Sequence, residues 1–337
     1  MKIAVVGAGA IGGIIGGVLT KEGEDIVLID TDKAHVKAIN EKGIKIDGAR
    51  GELNVKIPAM LPNEVKETYD LIFFVVKATQ TEDALKTTKN FLKDDSVLVC
   101  LQNGINEDYI ASIIGERRTI GGLVGWGAEN KGPGYLTQDS RGDFTIGELD
   151  GSITDRVKKI ADILGKVEPV VISENIWGHL WTKLLVNSSM SAIGAVTGYT
   201  YGETLKDDLA KRLVVKVMTE IVDVAQALRI KMEPISGVDP VVVTAKDEEK
   251  YQQVSAILDA VYAPHANVKT GALLDYKRGV KTEIGRWNGY VVEKAKEAKV
   301  KVPVNTAIVG MVTEIENKKR KLNHNNIKEI EHLAGFD

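Results

Sequence analysis

Gly7, Gly9 and Gly12 stand in the spacing G-x-G-x-x-G directly after the apolar run Ile3-Ala4-Val5-Val6, and Asp30 closes the next apolar run. A strand, a glycine turn, a helix start and a later acid together describe a dinucleotide site. Gly7 permits the tight turn, Gly9 lets backbone approach a pyrophosphate, and Gly12 lets the helix pack close to its strand. The amides of Ala8, Ala10 and Ile11 lie at the helix start, where phosphate charge is favoured. The competing reading is a glycine-rich loop without a ligand; the strand before it and the acid after it favour the nucleotide. Lys77 and Asn103 each stop a long apolar run in the same half of the chain. Open α/β sheets bind ligands outside the carboxyl ends of their strands, so both are read as cofactor or substrate contacts. The bland alternative is a polar strand end in solvent.

Further along, Lys183, Asn187 and Ser191 are spaced by four and share one face of an otherwise apolar helix. A buried lysine without a partner is costly. It therefore needs a carboxylate or a ligand, unless it snorkels to solvent. Periodicity leaves those readings open. Glu283, in Lys281-Thr282-Glu283-Ile284-Gly285-Arg286-Trp287, falls at the expected start of a long helix. There the helix dipole alone favours a carboxylate. Spacing does not say that Glu283 meets Lys183.

The elements that must position these residues follow from the pattern. In the first half, apolar runs at 2–6, 25–29, 70–76 and 96–101 alternate with helical stretches at 11–21 and 81–92. This is the signature of a parallel sheet with crossover helices. Residues 44–57 read as a hairpin, and 121–147 as the last, mixed strands of the same sheet. A helix at 153–164 and an extended run at 169–173 close this half. From Asn175 onward, long helices dominate, at 180–194, 207–228 and 281–299. The boundary is placed near Glu174, giving domains 1–174 and 175–337.

Composition narrows the classes. At 337 residues the chain suits two cores. Lys+Arg total 44 against Asp+Glu 47, so no basic excess points to nucleic acid or a membrane surface. No apolar stretch approaches the ~20 residues of a bilayer span, and the apolar start lacks a leader's pattern. One cysteine, Cys100, excludes an intrachain disulfide framework and leads us to expect a cytoplasmic protein. Five histidines without H-x-x-x-H or C-x-x-C spacing lead us to expect no metal site. Long apolar helices in the second half are as compatible with a homodimer as with an internal core. The run 317–321 is read as a solvated charge cluster.

Several segments resemble one family in order and spacing across nearly the whole chain. They are the Gly7–Gly12 turn, Val75-Val76-Lys77-Ala78, Leu101-Gln102-Asn103-Gly104 and Trp181-Thr182-Lys183-Leu184-Leu185-Val186-Asn187. Lys281-Thr282-Glu283-Ile284 and Val302-Pro303-Val304-Asn305-Thr306 complete the set. The family is the ketopantoate reductases (2-dehydropantoate 2-reductases). The resemblance implies an α/β Rossmann-type domain followed by an all-α C-terminal domain, with the active site in the cleft between them. It implies hydride transfer from NADH or NADPH to the keto carbon of ketopantoate, a small 2-keto acid, giving pantoate. Lys183 matches the family's general acid, and Glu283 the acid that pairs with it and binds substrate. Asn103, Asn187 and Lys77 match cofactor- or substrate-contacting positions.

Two recognition positions depart from the family. Where it commonly carries Asn-Pro, this chain has Ser191-Ala192; where it carries the serine of S-M-L-Q-D, this chain has Gly271. A different, bulkier 2-keto acid is therefore an alternative substrate. The acid at Asp30 suits a ribose 2′-hydroxyl and repels a 2′-phosphate, which favours NADH, with Lys33 as the one basic residue near a phosphate. A dinucleotide sensor without turnover is a third reading. Retention of both Lys183 and Glu283 counts against it.

Overall fold

Short, continuously apolar strands build the sheet of the first unit, as strands buried on both faces require. In the computed structural model, which describes residues 1–235 and 237–335, the chain divides into units Met1–Ile176 and Trp177–Asp337. The first unit runs β1 (Ile3–Val6), α1 (Ala10–Lys21), β2 (Ile26–Ile29), α2 (Lys33–Lys42), β3 (Ile44–Gly48), β4 (Leu53–Val55), β5 (Ala59–Met60) and β6 (Tyr69–Phe74). It continues with α3 (Thr81–Thr88), β7 (Leu92–Cys100), α4 (Glu107–Ile114), β8 (Thr119–Val124), β9 (Ala128–Gly132) and β10 (Tyr135–Gln138). β11 (Phe144–Glu148), α5 (Asp155–Leu164) and β12 (Val170–Ile172) complete it.

Eight of these strands form one sheet in the order β12-β11-β8-β7-β6-β1-β2-β5. From β8 to β5 every pairing is parallel, and the chain winds outward in both directions from β1. That is the doubly wound dinucleotide-binding order, with its switch point between β1 and β6. β11 pairs antiparallel with β8, and β12 parallel with β11.

The 44–57 hairpin forms as expected, with Ile46 opposite Leu53. The 121–147 region needs a correction. Its outer strands β8 and β11 join the main sheet, but β9 and β10 leave it. They pair with the hairpin in a separate sheet of order β4-β3-β10-β9. Ile44, Ile46 and Leu136 of that sheet share the main sheet's core. Their apolar side chains are thus buried by a second layer rather than by extension of the first.

The second unit is helical: α6 (Ile176–Val186), α7 (Ala192–Thr197), α8 (Tyr201–Lys206), α9 (Asp208–Ala227), α10 (Glu248–Tyr262), α11 (Gly271–Arg278), α12 (Asn288–Ala298), α13 (Pro303–Glu316) and α14 (Asn326–Ala334). α6 and α7 are one continuous rod joined by a π-helical turn, Asn187–Ser191. The apolar face of α9 is buried along its length from Ala210 to Ala225.

The expected helix 281–299 is corrected here. Residues 280–283 are not helical, Ile284–Arg286 make one 3-10 turn, and Trp287 (φ −106, ψ −102) breaks the path before α12 begins at Asn288. Thr282 explains the break. Its amide and hydroxyl both donate to Glu316 Oε1, at 2.8 and 2.6 Å. Tertiary bonds to α13 replace the helical ones. Among the described residues, no helix is long and apolar enough to cross a membrane.

Candidate functional site

The parallel register brings four sequence signals to one edge. Val6 lies opposite Ile29 and Phe74, and Phe74 opposite Cys100. The carboxyl ends of β2, β1, β6 and β7 are therefore neighbours, and Asp30, the glycine turn, Lys77 and Asn103 follow them in that order. Three strand spacings separate the outer two, about 14 Å.

The glycine turn divides its work among its residues. Gly7 has φ +96, and a Cβ there would meet Val76 N at 2.7 Å. A Cβ on Gly12 would lie 2.0 Å from Gly7 O, so this position must be glycine for α1 to start where it does. Gly9 is different: a Cβ there meets nothing within 4 Å. Gly9 is the N-cap of α1, with no side-chain cap and no acid in the first turn. The helix start thus combines unsatisfied amides, a positive dipole end and open ground, which fits a phosphate.

Asp30 is held at the carboxyl end of β2 by two backbone amides. Its Oδ2 accepts the Ala8 amide at 2.7 Å and its Oδ1 the Asp32 amide at 2.9 Å. A carboxylate has about four acceptor positions, so lone pairs remain for a diol. The residues present fit a dinucleotide.

Sequence reasoning missed His35. This buried ring on α2 accepts the Gly134 amide at Nδ1, 3.0 Å, which leaves the proton on Nε2 to donate to Ala8 O at 2.9 Å. It fixes the glycine turn from below. A histidine inside a helical stretch carries no sequence signal for that role.

Lys77 and Asn103 are exposed, Lys77 before a 3-10 turn (Ala78–Gln80) and Asn103 before Gly104 with φ +77. Beneath them the polar side chains are buried and paired. Gln102 Nε2 donates to Val76 O at 2.7 Å and to Thr81 Oγ1 at 2.8 Å. The Asn106 amide side chain donates to Asn103 O at 3.2 Å.

In the helical unit, α6 is buried on most of its surface. His179, Lys183, Val186 and Asn187 are half-buried and form its open side. Lys183 is therefore neither sealed in the core nor free in solvent. Ser191 is buried, and its side chain hydrogen-bonds Tyr201. Burial raises the Tyr201 hydroxyl pKa, opposed by that bond.

Glu283 is 7% exposed and precedes the 3-10 turn rather than opening a long helix. Its segment is tied to the lysine helix just downstream. Asn288 Nδ2 donates to Ser188 O, in the π turn, at 2.9 Å, and to Asn305 Oδ1 at 2.8 Å. Glu220 completes the chain by accepting the Val304 and Asn305 amides at 2.9 and 3.0 Å. Trp181 packs edge-on against Tyr290, ring centroids 6.0 Å apart. π turns inside α-helices recur at functional sites. Here the turn sets the carbonyl that Asn288 grips.

Gly271 opens α11 on an exposed side shared with Leu274, and a Cβ on Gly271 would meet nothing within 4 Å. Among the described residues, no group of three or more His, Cys, Asp or Glu is arranged to hold a metal ion.

Comparison with known proteins adds three findings. The profile described as "Ketopantoate reductase PanE/ApbA" matches residues 3–151, and "Ketopantoate reductase PanE/ApbA C terminal" matches residues 175–316. A 2-dehydropantoate 2-reductase of Pyrococcus abyssi (strain GE5 / Orsay) is 33% identical over 93% of this chain and 97% of its own. Two solved structures each superpose with TM-score 0.82 at 27% identity. One is D-mandelate dehydrogenase with NADH and anilino(oxo)acetate, covering 94% of this chain and 99% of that one. The other is a PanE/ApbA family ketopantoate reductase from Ralstonia eutropha JMP134, covering 95% and 99%.

Proposed function

Because this chain belongs to the ketopantoate reductase family of NAD(P)H-dependent oxidoreductases, we propose that it reduces ketopantoate to pantoate, with NADH preferred over NADPH. The observation that carries the reading is the pair of segments tied together by Asn288, one bearing half-buried Lys183 and the other buried Glu283. A reduced nicotinamide, when bound, supplies the hydride. Lys183 holds an ammonium beside the ketone oxygen, stabilises the charge that develops there and donates the proton. Glu283 keeps that ammonium charged and oriented. Asn187, on the same open side of the helix, and Ser191 contact substrate. On the sheet edge, the amides of Ala10 and Ile11 and the glycines Gly7, Gly9 and Gly12 cradle the pyrophosphate, while the Ala8 amide holds Asp30 beside them. Asp30 takes the ribose hydroxyls, and Lys77 and Asn103 meet the nicotinamide half.

A second reading, a bulkier 2-keto acid, is favoured by Gly271 and Leu274. The first adds no side chain to the exposed side of α11 and the second an apolar one. A relative of comparable fold is a D-mandelate dehydrogenase, solved with the aryl compound anilino(oxo)acetate.

The test is consumption of NADH and of NADPH by the purified protein with ketopantoate and, separately, with a phenyl-bearing 2-keto acid. Turnover with ketopantoate supports the first reading. Turnover with the aryl substrate alone replaces it with the second. Nucleotide binding without turnover on either overturns both.

A further inference from the structure

Glu107, at the start of α4, is used by none of the steps above, yet it is fully buried. Its Oε2 accepts the Asn106 amide at 2.9 Å, while its Oε1 is buried and has no hydrogen-bond partner among the described residues. A buried ionised carboxylate with an unpaired oxygen is costly, so the site suits the neutral acid. The same Asn106 holds the Asn103 carbonyl through its side chain. Next to it, Gln102 bonds Val76 O and Thr81, and the Thr81 hydroxyl donates to Ala78 O at 2.9 Å. Gln102, Thr81, Asn106 and Glu107 are all under 4% exposed. One sealed polar cluster therefore supports both loops that carry Lys77 and Asn103.

We propose that Glu107 is a positioning residue: as a neutral acid it holds the Asn103 and Lys77 loops in their nucleotide-binding arrangement, and its ionisation loosens them. The groups facing it are few. β7 presents the Cys100 thiol, which donates to Gln102 Oε1 at 3.6 Å and whose nearness favours the ionised form of the carboxyl. α4 itself adds Asp108, which opposes ionisation. β8 presents the backbone of Gly121, where an added Cβ would lie 3.5 Å from Glu107 Cγ. Burial outweighs the rest and pushes the Glu107 carboxyl from its ordinary 4.5 up to about 7, opposed by the Asn106 amide and its own. The switch thus falls in the neutral pH range.

The inference rests on the reading that this sheet edge binds the nicotinamide nucleotide. The experiment is NADH titration of the intact protein by fluorescence between pH 6 and pH 8, for wild type, Glu107→Gln and Thr81→Val. If only the neutral form binds well, the wild-type Kd rises about tenfold across that range. Glu107→Gln keeps an acceptor for the Asn106 amide and cannot ionise, so its Kd stays flat. Thr81→Val removes the bond to Ala78 O and weakens binding severalfold at pH 6, while the pH slope remains. A flat wild-type profile overturns the proposal even if Glu107→Gln does not fold. An equal slope in Glu107→Gln, or unchanged pH 6 affinity in Thr81→Val, also overturns it. A wild type that binds neither NADH nor NADPH at any pH instead overturns the nucleotide reading itself.

Discussion

Replacing Gly9 with alanine separates the glycine that meets a ligand from those that meet the fold. An added Cβ at Gly9 finds nothing within 4 Å, and φ there is −61, open to any residue. The unliganded protein therefore accepts the methyl with a stability change within ~0.5 kcal/mol. The same methyl projects into the ground that a pyrophosphate occupies on approaching the turn. Forcing an extra carbon into a packed contact costs ~1–3 kcal/mol. That is roughly 5- to 150-fold in Kd. Gly12→Ala behaves oppositely. Its Cβ would stand 2.0 Å from Gly7 O and 2.9 Å from Val5 Cγ1, so backbone must move in the apo protein. The expected loss is ~1–3 kcal/mol or more, visible as a drop of several degrees in Tm. The assay pairs thermal unfolding without ligand with fluorescence titration by NADH and NADPH. Gly9→Ala binding both nucleotides as tightly as wild type would refute the assignment of Gly9 to the phosphate. Gly9→Ala unfolding as early as Gly12→Ala would refute the open ground itself.

Three further outcomes follow from the same geometry. Lys183→Ala should retain NADH affinity and lose ~10²–10³ in kcat, as removal of an electrostatic donor does; near-normal turnover in steady-state kinetics removes Lys183 from the chemistry. Asp30→Ser should raise the NADPH-to-NADH ratio of kcat/KM by roughly tenfold, about 1.4 kcal/mol, and an unmoved ratio means that Asp30 does not read the ribose. Gly271→Ser finds open space and should fold normally. It should lower KM for ketopantoate if that is the substrate, and raise it for a bulkier keto acid; a KM unchanged for both puts Gly271 outside the recognition surface.

The sheet edge was legible because its signals are local. Continuous apolar runs declare buried strands, a glycine turn declares a strand-to-helix junction, and polar residues stopping strands declare the carboxyl edge. Asp30, Lys77 and Asn103 could be assigned to one edge because parallel strands all end on the same side. The hairpin at 44–57 was likewise local, since pairing of near neighbours needs no distant partner.

What surrounds those signals depended on contacts far apart in sequence. β9 and β10 read as continuations of the main sheet, but Tyr135 pairs with Lys45, ninety residues earlier, and that pairing makes a second sheet. The path before α12 read as helix, because Thr282 gives no hint that Glu316 will take its amide and hydroxyl. The four-residue spacing placed Lys183, Asn187 and Ser191 on one face, but not the π turn between them or the Asn288 side chain that grips it. His35 and Glu107 looked like ordinary residues of polar stretches; only burial and the amides of Gly134 and Asn106 give them their roles. Local pattern determined the strands, the turn and the residue types for the chemistry. Which hydrogen-bond partner each buried polar group finds was decided by tertiary structure, because a group shut off from bulk water can bond only what the fold brings to it.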